Sequence, residues 1–395
     1  MKRGWWIVFR KEIKELASDR KMWLGSILLP LLLMPCLMLL IAKLQAGAAE
    51  DAKKNITVAL IGHNARVEQA ITKVPDVHVV KESDPMQALK NGDVRAVVTI
   101  DELFDQQVQA ETPATVSIAY DPSNQKSEVA HGVVQGALQG LGQEMAAERL
   151  TKLQIPVEAI TPLDVKSVDA SDDNQKAGSA LGFIVPLLLV LSCVTGAMPV
   201  ATDLMAGEKE RGTLEALLTA PVNARQVLTG KLFTVSAMSF VSALVSTLAM
   251  VGTMKNMPRI TGNQDASFSL SFLSAGDVGL ILGALFFLAI MFGALMLGVS
   301  SLAKTYKEAQ TYLAPFMIVA MVPVYATMML SAQEIPVQYF LLPVLNVTAL
   351  MKEVLYGVLD LTHVLMVFGS SVVFAVLAVL VTSKLFRRES LIVKG

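Results

Sequence analysis

Six runs of this sequence carry no charged side chain for about 20 residues or more, and this feature most limits the folds open to the chain. A helix of that length spans the hydrocarbon core of a bilayer and satisfies its backbone polar groups internally. The runs therefore predict a membrane all-α fold with six transmembrane helices. The predicted spans are residues 23–44, 177–202, 232–254, 279–303, 309–333 and 361–383.

Two of the apolar segments have a second interpretation. The uncharged run in the first span follows basic residues, as the core of a cleaved signal peptide does, but it is longer than that core usually is. Pro30 and Pro35 should kink it without ending it. Residues 335–351 are short and broken by prolines, so we predict a re-entrant segment before the last span. A seventh span at 335–351 is the alternative.

Composition excludes several classes of protein. The chain is 53% hydrophobic and 17% charged, with a mean hydropathy of +0.53, which is too apolar for an ordinary soluble protein. A net charge of −1 argues against nucleic-acid binding. The two cysteines lie in apolar runs, where they cannot complete a metal site.

Residues 45–176 differ in kind from the rest, because charged residues are mixed with alternating strand and helix patterns. Strands are predicted at 56–61, 77–80, 94–100, 115–120 and 160–168, with helices near 65–73, 85–91 and 127–153. This alternation predicts an α/β domain with a mixed sheet. His63, His78 and His131 fall on separate elements, and no catalytic, cofactor-binding or metal-binding motif is present.

The distribution of Lys and Arg among the short connecting segments predicts orientation. Segments 1–22, 203–231, 304–308 and 384–395 hold 7, 4, 2 and 4 of these residues, whereas 255–278 and 334–360 hold 2 and 1. Basic residues collect in cytoplasmic loops. We therefore predict that both termini and the loop 203–231 are cytoplasmic, that 384–395 is a cytoplasmic tail, and that the α/β domain is extracytoplasmic.

Segments 1–22 and 203–231 are both predicted to form amphipathic helices. The first is basic and rich in aromatic residues, which is typical of a helix lying at the membrane interface. In the second, Thr213 is a plausible helix N-cap, and Leu214, Leu217 and Leu218 share one helical face. Pro221 should end that helix. An ordinary solvated loop is the alternative.

Two absences narrow the function further. No stretch matches the phosphate-binding pattern G-x-x-x-x-G-K-[ST], so any ATP hydrolysis must come from another chain. No Asp or Glu lies within the six predicted spans, which disfavours an ion relay through carboxylates. Hydroxyls such as Ser192, Thr195, Ser239 and Ser242 could line a path, although such groups more often serve helix packing.

The segment GEKERGTLEALLTAPVNARQVLTGK resembles the signature of the type-two ABC exporter permeases. The pattern is carried here by Glu208, Gly212, Thr213, Glu215, Leu217, Leu218, Pro221, Gly230 and Lys231. The amino-terminal segment is similar to that family's opening through Lys11, Glu12, Asp19, Arg20 and Lys21. The large domain between the first two spans resembles the sodium-efflux branch of the family.

The resemblance implies a coupling helix that docks on a separate ABC nucleotide-binding subunit, which would hold ATP and Mg. Leu214, Leu217 and Leu218 would fill a groove of that subunit, with Glu208, Arg211 and Glu215 on its polar rim. The basic amino-terminal helix would brace the same subunit. Two permease chains, most simply a homodimer in the bacterial cell membrane, would form the pathway in contact with lipid.

Function stays open among three classes. An ATP-driven exporter is favoured, with sodium as the leading cargo and amphipathic drugs, peptides or lipids as competitors. The second class is a membrane receptor whose outer domain senses a ligand. The third, a membrane enzyme or its anchor, is disfavoured by the lack of a catalytic constellation.

Overall fold

The computed structural model describes residues 4–28, 31–32, 35–40, 43, 54–154, 181–213, 223–261 and 274–392. The chain divides into two compact units. A helical unit comprises Met1–Leu39 and Ala170–Gly395, and an α/β unit comprises Leu40–Asp169.

The amino-terminal segment of the helical unit forms α1 (Gly4–Ser18), α2 (Arg20–Trp23) and a π-helical turn (Leu24–Leu28). Val8, Glu12 and Leu16 recur every four residues and form the buried stripe of α1. The helix predicted for this segment is therefore present. Its position at the membrane interface stays a prediction.

The α/β unit is built on a four-stranded sheet with the strand order β2-β1-β3-β4. The strands are β1 (Ile56–Ile61), β2 (Val77–Val80), β3 (Ala96–Ile100) and β4 (Val116–Ala119). The first three are parallel and β4 is antiparallel to β3, which confirms the predicted mixed sheet. The strand predicted at 160–168 lies outside the described residues.

Side-chain alternation along the strands gives this sheet two apolar faces. Val58 and Val98 pack on one face, and Ala59 and Val97 on the other. The helices of the unit are α3 (Ala65–Thr72), α4 (Pro85–Asn91), α5 (Phe104–Gln109) and α6 (Gln125–Lys152). Only α5 lacks a counterpart among the sequence predictions.

Most of the other described residues of the helical unit are helical. The first of these helices runs without a break through α7 (Ile184–Thr202), a π-helical turn (Asp203–Gly207) and a last turn at Glu208–Glu210. The others are α8 (Ala224–Thr261), α9 (Ala275–Leu302), α10 (Tyr306–Leu313), α11 (Pro315–Ala326), α12 (Leu345–Tyr356) and α13 (Leu361–Ile392). Two short 3-10 helices, Ala332–Glu334 and Val337–Leu341, precede α12.

Five helices among the described residues are long and apolar enough to cross a membrane. They are Ile184–Glu210, Ala224–Asn256, Ala275–Leu302, Tyr306–Ala326 and Leu361–Phe386. The predicted first span, 23–44, is described only in part. With 12 residues, α12 is about 18 Å long, which is too short to cross alone. A re-entrant position for this segment stays a prediction.

Several boundaries differ from the sequence predictions. α8 ends at Thr261 and not at 254, α9 begins at Ala275 and not at 279, and α13 continues to Ile392, through most of the predicted tail 384–395. The helix containing α7 continues eight residues past 202, and α8 begins eight residues before 232, directly after Asn223. Residues 203–210 and 224–231 of the predicted loop 203–231 are therefore helical, and residues 214–222 lie outside the described residues. The fifth span ends at Ala326 and not at 333, because a turn follows.

Small residues allow the central helices α7, α8 and α9 to approach closely. A Cβ atom on Gly196 of α7 would lie 2.5 Å from Ser242 Cβ of α8, and one on Gly293 of α9 would lie 2.8 Å from Ser236 Oγ. Ser239 Oγ donates to Cys193 O across the same contact at 2.7 Å. The buried hydroxyls of α8 thus take part in helix packing, as the simpler interpretation predicts.

Candidate coupling site

The amino-terminal helix α1 packs against α8 at Gly230, the glycine of the predicted family pattern. A Cβ atom built on Gly230 would lie 2.7 Å from Val8 Cβ and 2.9 Å from Trp5 O. Because any side chain at 230 would collide with the backbone of α1, glycine is what permits this contact.

Lys231, the next residue, is fully buried between two glutamates. Its Nζ atom lies 2.6 Å from Glu208 Oε2 and 3.4 Å from Glu12 Oε1, and it donates to Leu204 O at 2.8 Å. Glu12 is also fully buried, and Glu208 is 4% exposed. One ion-paired group therefore joins three elements that are distant in sequence: α1, the end of the α7 helix and the start of α8.

Lys11 completes this group at its solvent edge. Its Nζ atom lies 3.3 Å from Glu12 Oε1 and 3.4 Å from Glu208 Oε1. We call Lys11, Glu12, Glu208 and Lys231 the first charge cluster. Within it two carboxylates face two ammonium groups, and Lys11 Nζ also lies 3.0 Å from Oε2 of exposed Glu15. Buried Lys231 is the main partner of the two carboxylates, because an unpaired buried charge costs several kcal/mol.

The pKa values in the amino-terminal helix reflect this environment. Burial raises the pKa of Glu12, and Glu208 adds to that effect, whereas Lys231 opposes it. Burial disfavours the charged form of Lys11, but the neighbouring carboxylates, with Glu12 foremost, outweigh burial and raise its pKa. Lys11 therefore stays positively charged at any physiological pH.

The residues after Glu208 tie the same helix end to two more helices. Lys209 Nζ donates to Ser301 O, near the carboxyl end of α9, and to Ala303 O just beyond it. Glu210 Oε2 accepts a hydrogen bond of 2.7 Å from Tyr306 N at the start of α10. These partners suit the helix dipoles, since a cation lies at a carboxyl end and an anion at an amino end.

Arg211 lies at the surface, where its guanidinium pairs with Asp203 Oδ1 at 2.8 Å across the π-helical turn. This hydrogen bond raises the pKa of Arg211. Gly212 has a φ of +72°, and Thr213 Oγ1 donates to Glu208 O. The four consecutive residues 208–211 thus bind four different regions of the helical unit.

One predicted role needs correction. Glu208 does not occupy a polar rim exposed to a partner, because its carboxylate is buried against Lys231. Lys231 likewise acts inside the fold. Asp19 and Arg20 lie at the junction of α1 and α2, where Asp19 O accepts from Trp23 N. Five predicted coupling residues lie outside the described residues: Leu214, Glu215, Leu217, Leu218 and Pro221.

The sequence did not predict a second polar group, which we call the second charge cluster: Lys352 and Glu353 of α12, and His363 of α13. Lys352 Nζ donates to Thr327 O and Leu330 O, just past the end of α11. Glu353 Oε1 lies 2.6 Å from His363 Nδ1. In the sequence, this cluster is indicated by the adjacent opposite charges of Lys352 and Glu353 within an otherwise apolar stretch.

No three His, Cys, Asp or Glu side chains in the described part of the chain lie close enough to hold a metal ion. The α/β unit does contain an open cavity of about 730 Å³ between β4 and α6. Its walls are mainly apolar, with Leu138, Met145 and Ile118 among them, and Arg149 and His131 supply polar groups.

Comparisons with known proteins agree with the resemblance seen in the sequence. A family model described as "ABC-2 family transporter protein" matches residues 20–384. The ABC transporter permease protein NatB of Bacillus subtilis (strain 168) is 28% identical over 389 residues, which cover 97% of this chain and 97% of NatB. No solved structure matches the chain.

Proposed function

Because this chain belongs to the ABC-2 family of transporter proteins, we propose that it is the transmembrane subunit of an exporter driven by ATP hydrolysis on a separate nucleotide-binding subunit. The family assignment and the apolar helices make it a multi-pass membrane permease. The partner, the direction of transport and the cargo are parts of the proposal.

The first charge cluster is the observation that carries this proposal. A loop that receives mechanical work must be anchored rigidly to the helices that it moves. Residues 208–211 precede the predicted coupling segment 214–221 and bind α1, α8, α9 and α10 through buried or helix-end contacts. A displacement of the loop would therefore reach four helices together.

In the proposed cycle, the ATP-binding partner docks on residues 214–221 and holds ATP and Mg. Its closure pushes the loop, and the cluster transmits this displacement because breaking it would strand buried charges. α1, held at Gly230, moves with α8. A second copy of the chain supplies the other half of the pathway, with both termini on the cytoplasmic side.

Sodium is the leading cargo by resemblance to the sodium-efflux branch. Charged side chains in the five described spans lie near the helix ends, for example Asp203, Asp277 and Lys384. Spans without central carboxylates also suit an amphipathic cargo that is bound weakly. Flux of radioactive sodium into inverted vesicles, compared with flux of an amphipathic dye, separates the two.

A sensory role is the second candidate, and the cavity of about 730 Å³ in the α/β unit is the observation that favours it. A receptor would bind a ligand in this cavity and would not need a nucleotide-binding partner.

Purification of the chain from its native membrane tests the proposal. We expect an ATP-hydrolysing subunit to co-purify with the wild-type chain, and Leu217→Asp/Leu218→Asp to lose it because charge replaces the docking face. Leu153→Asp, at an exposed leucine of the α/β unit, is the control and should retain the partner. Recovery of the wild-type chain without an ATPase would overturn the exporter proposal and favour the receptor.

A further inference from the structure

Glu353, which is buried, and His363, whose side chain is 21% exposed, form an acid–base pair that the coupling mechanism does not use. Glu353 is 3% exposed, and its Oε1 atom contacts His363 Nδ1 at 2.6 Å. The other carboxylate oxygen, Oε2, is buried and accepts no hydrogen bond from the described residues. A carboxylate with such an oxygen is poorly solvated, and proton uptake by the pair removes its excess negative charge.

The imidazole of His363 is held in place from its other side. Phe340, which is fully buried, stacks on it with a centroid separation of 4.0 Å and an interplanar angle of 14°. This stacking fixes the ring beside the Glu353 carboxylate. The pair is thus built to keep one proton, whichever of the two residues carries it.

The other charged groups around the pair do not neutralise it. Lys352 is directed to the end of α11, and its charge interacts with that of Glu334. Asp360, just before α13, adds a second negative charge near His363. Among the helices that pack on α12, α7 and α11 contain no charged residue, and α9 contains only Asp277 in its first turn. Tyr339 and Tyr356 are uncharged near neutral pH.

We propose that Glu353 and His363 are a proton-binding site that joins α12 to α13. One proton bound by the pair gives a neutral, hydrogen-bonded connection between the two helices. Its loss leaves a net negative charge in a buried position. Consistent with this geometry, burial raises the pKa of Glu353, although His363 and the backbone N–H of Asp360 oppose the effect.

Proton uptake by the pair predicts the sign of the change in stability with pH, which can be measured. The folded pair holds its proton more tightly than the unfolded chain does. Its stabilising contribution is therefore complete at low pH and is lost as the pH rises through the titration of the pair. In transport, the same site would make export depend on pH, a consequence that rests on the proposed function.

Thermal unfolding of the purified full-length chain in detergent, between pH 5.5 and 8.0, tests the site without a partner subunit. Glu353→Gln/His363→Gln replaces the pair with two amides that do not titrate. We expect the melting temperature of the wild-type chain to fall by about 2–4 °C more than that of the double variant over this range.

Glu334→Gln is the matched control. Glu334 is an exposed acid close to the cluster, and hydrogen bonds from Ser331 lower its pKa, so its contribution does not change between pH 5.5 and 8.0. The melting temperature of Glu334→Gln should therefore fall between pH 5.5 and 8.0 by the same amount as that of the wild type. If the double variant does not fold, Glu353→Gln alone must be less stable than the wild type at pH 5.5, with the difference shrinking by pH 8.0. If the melting temperatures of the pair variants fall with pH as much as that of the wild type, the proton site is wrong. This result is independent of whether an ATPase subunit co-purifies with the chain.

Discussion

The two charge clusters lie near opposite ends of the helix Tyr306–Ala326, about 30 Å apart along its axis, and they neutralise buried carboxylates with different cations. In the first cluster, Glu12 and Glu208 face two lysines. In the second, Glu353 faces a histidine. Lysine stays protonated across the physiological range, whereas histidine titrates within it.

The two clusters therefore connect helices in different ways: the first through lysine cations, and the second through a pair that binds and releases a proton. The end of α7 is held to α1 and α8 by lysine cations, as a loop that must transmit force requires. The connection between α12 and α13 has a strength that depends on proton concentration. A single chain thus uses the same chemistry, a buried carboxylate with a cationic partner, for two mechanical purposes.

Among the changes that test this comparison, removal of the central cation Lys231 should have the largest effect on the free energy of unfolding. Lys231→Met leaves Glu12 and Glu208 buried without their main partner, and we expect a loss of about 3–5 kcal/mol in unfolding free energy. Because Lys231 opposes the effect of burial on the pKa of Glu12, its removal raises that pKa further, so the loss should be smaller at pH 6, where the buried carboxylates take up a proton more readily, than at pH 8. Unfolding of the purified chain in detergent, followed by intrinsic fluorescence, measures it.

A neutral replacement of the three buried members of the cluster serves as the control. Glu12→Met/Glu208→Met/Lys231→Met removes these charges together and leaves only half-exposed Lys11, so it should recover most of the stability lost in the single variant. If Lys231→Met alone is as stable as the wild type, the cluster does not hold these helices together, and the contrast with the second cluster disappears.

A smaller effect should come from the packing contact beside the cluster. Gly230→Ala places a methyl group against Val8 and Trp5 O, which we expect to cost about 1–3 kcal/mol through overpacking. Gly252→Ala on the same helix meets nothing within 4 Å and should be neutral or slightly stabilising. Equal stabilities of the two variants would show that α1 does not rest on α8 at Gly230.

The sequence was sufficient to predict most of the architecture, because spans and strands follow from local patterns. The uncharged runs identified five helices, and β-branched segments identified the four described strands. Some predicted helix boundaries were wrong because they were placed at charged residues. Asp203, Glu208 and Lys231 looked like residues outside the membrane helices, yet the helices continue through all three because ion pairs neutralise them within the fold.

The candidate site was predictable in its members but not in its pairing. The family pattern singled out Glu12, Glu208 and Lys231, which are as far as 219 positions apart in the chain. No periodicity connects residues at that separation. The Glu353–His363 pair was missed for a related reason, since its members lie on two helices joined by a turn and share no helical face.

The smallest effect should come from Lys11, the half-exposed member of the first cluster. Solvent screens its contacts with Glu12 and Glu208, so Lys11→Met should cost less than about 1 kcal/mol. The carboxylates raise the pKa of Lys11, and this contribution is therefore complete below the ordinary lysine pKa and lost only as the pH rises above it. Chemical unfolding at pH 6, 7 and 9, with exposed Lys14→Met on the same helix as the control, should show a constant small difference between the two variants. A difference that declines between pH 6 and 7 would indicate that a titrating acid, and not a permanent cation, governs the edge of the first cluster.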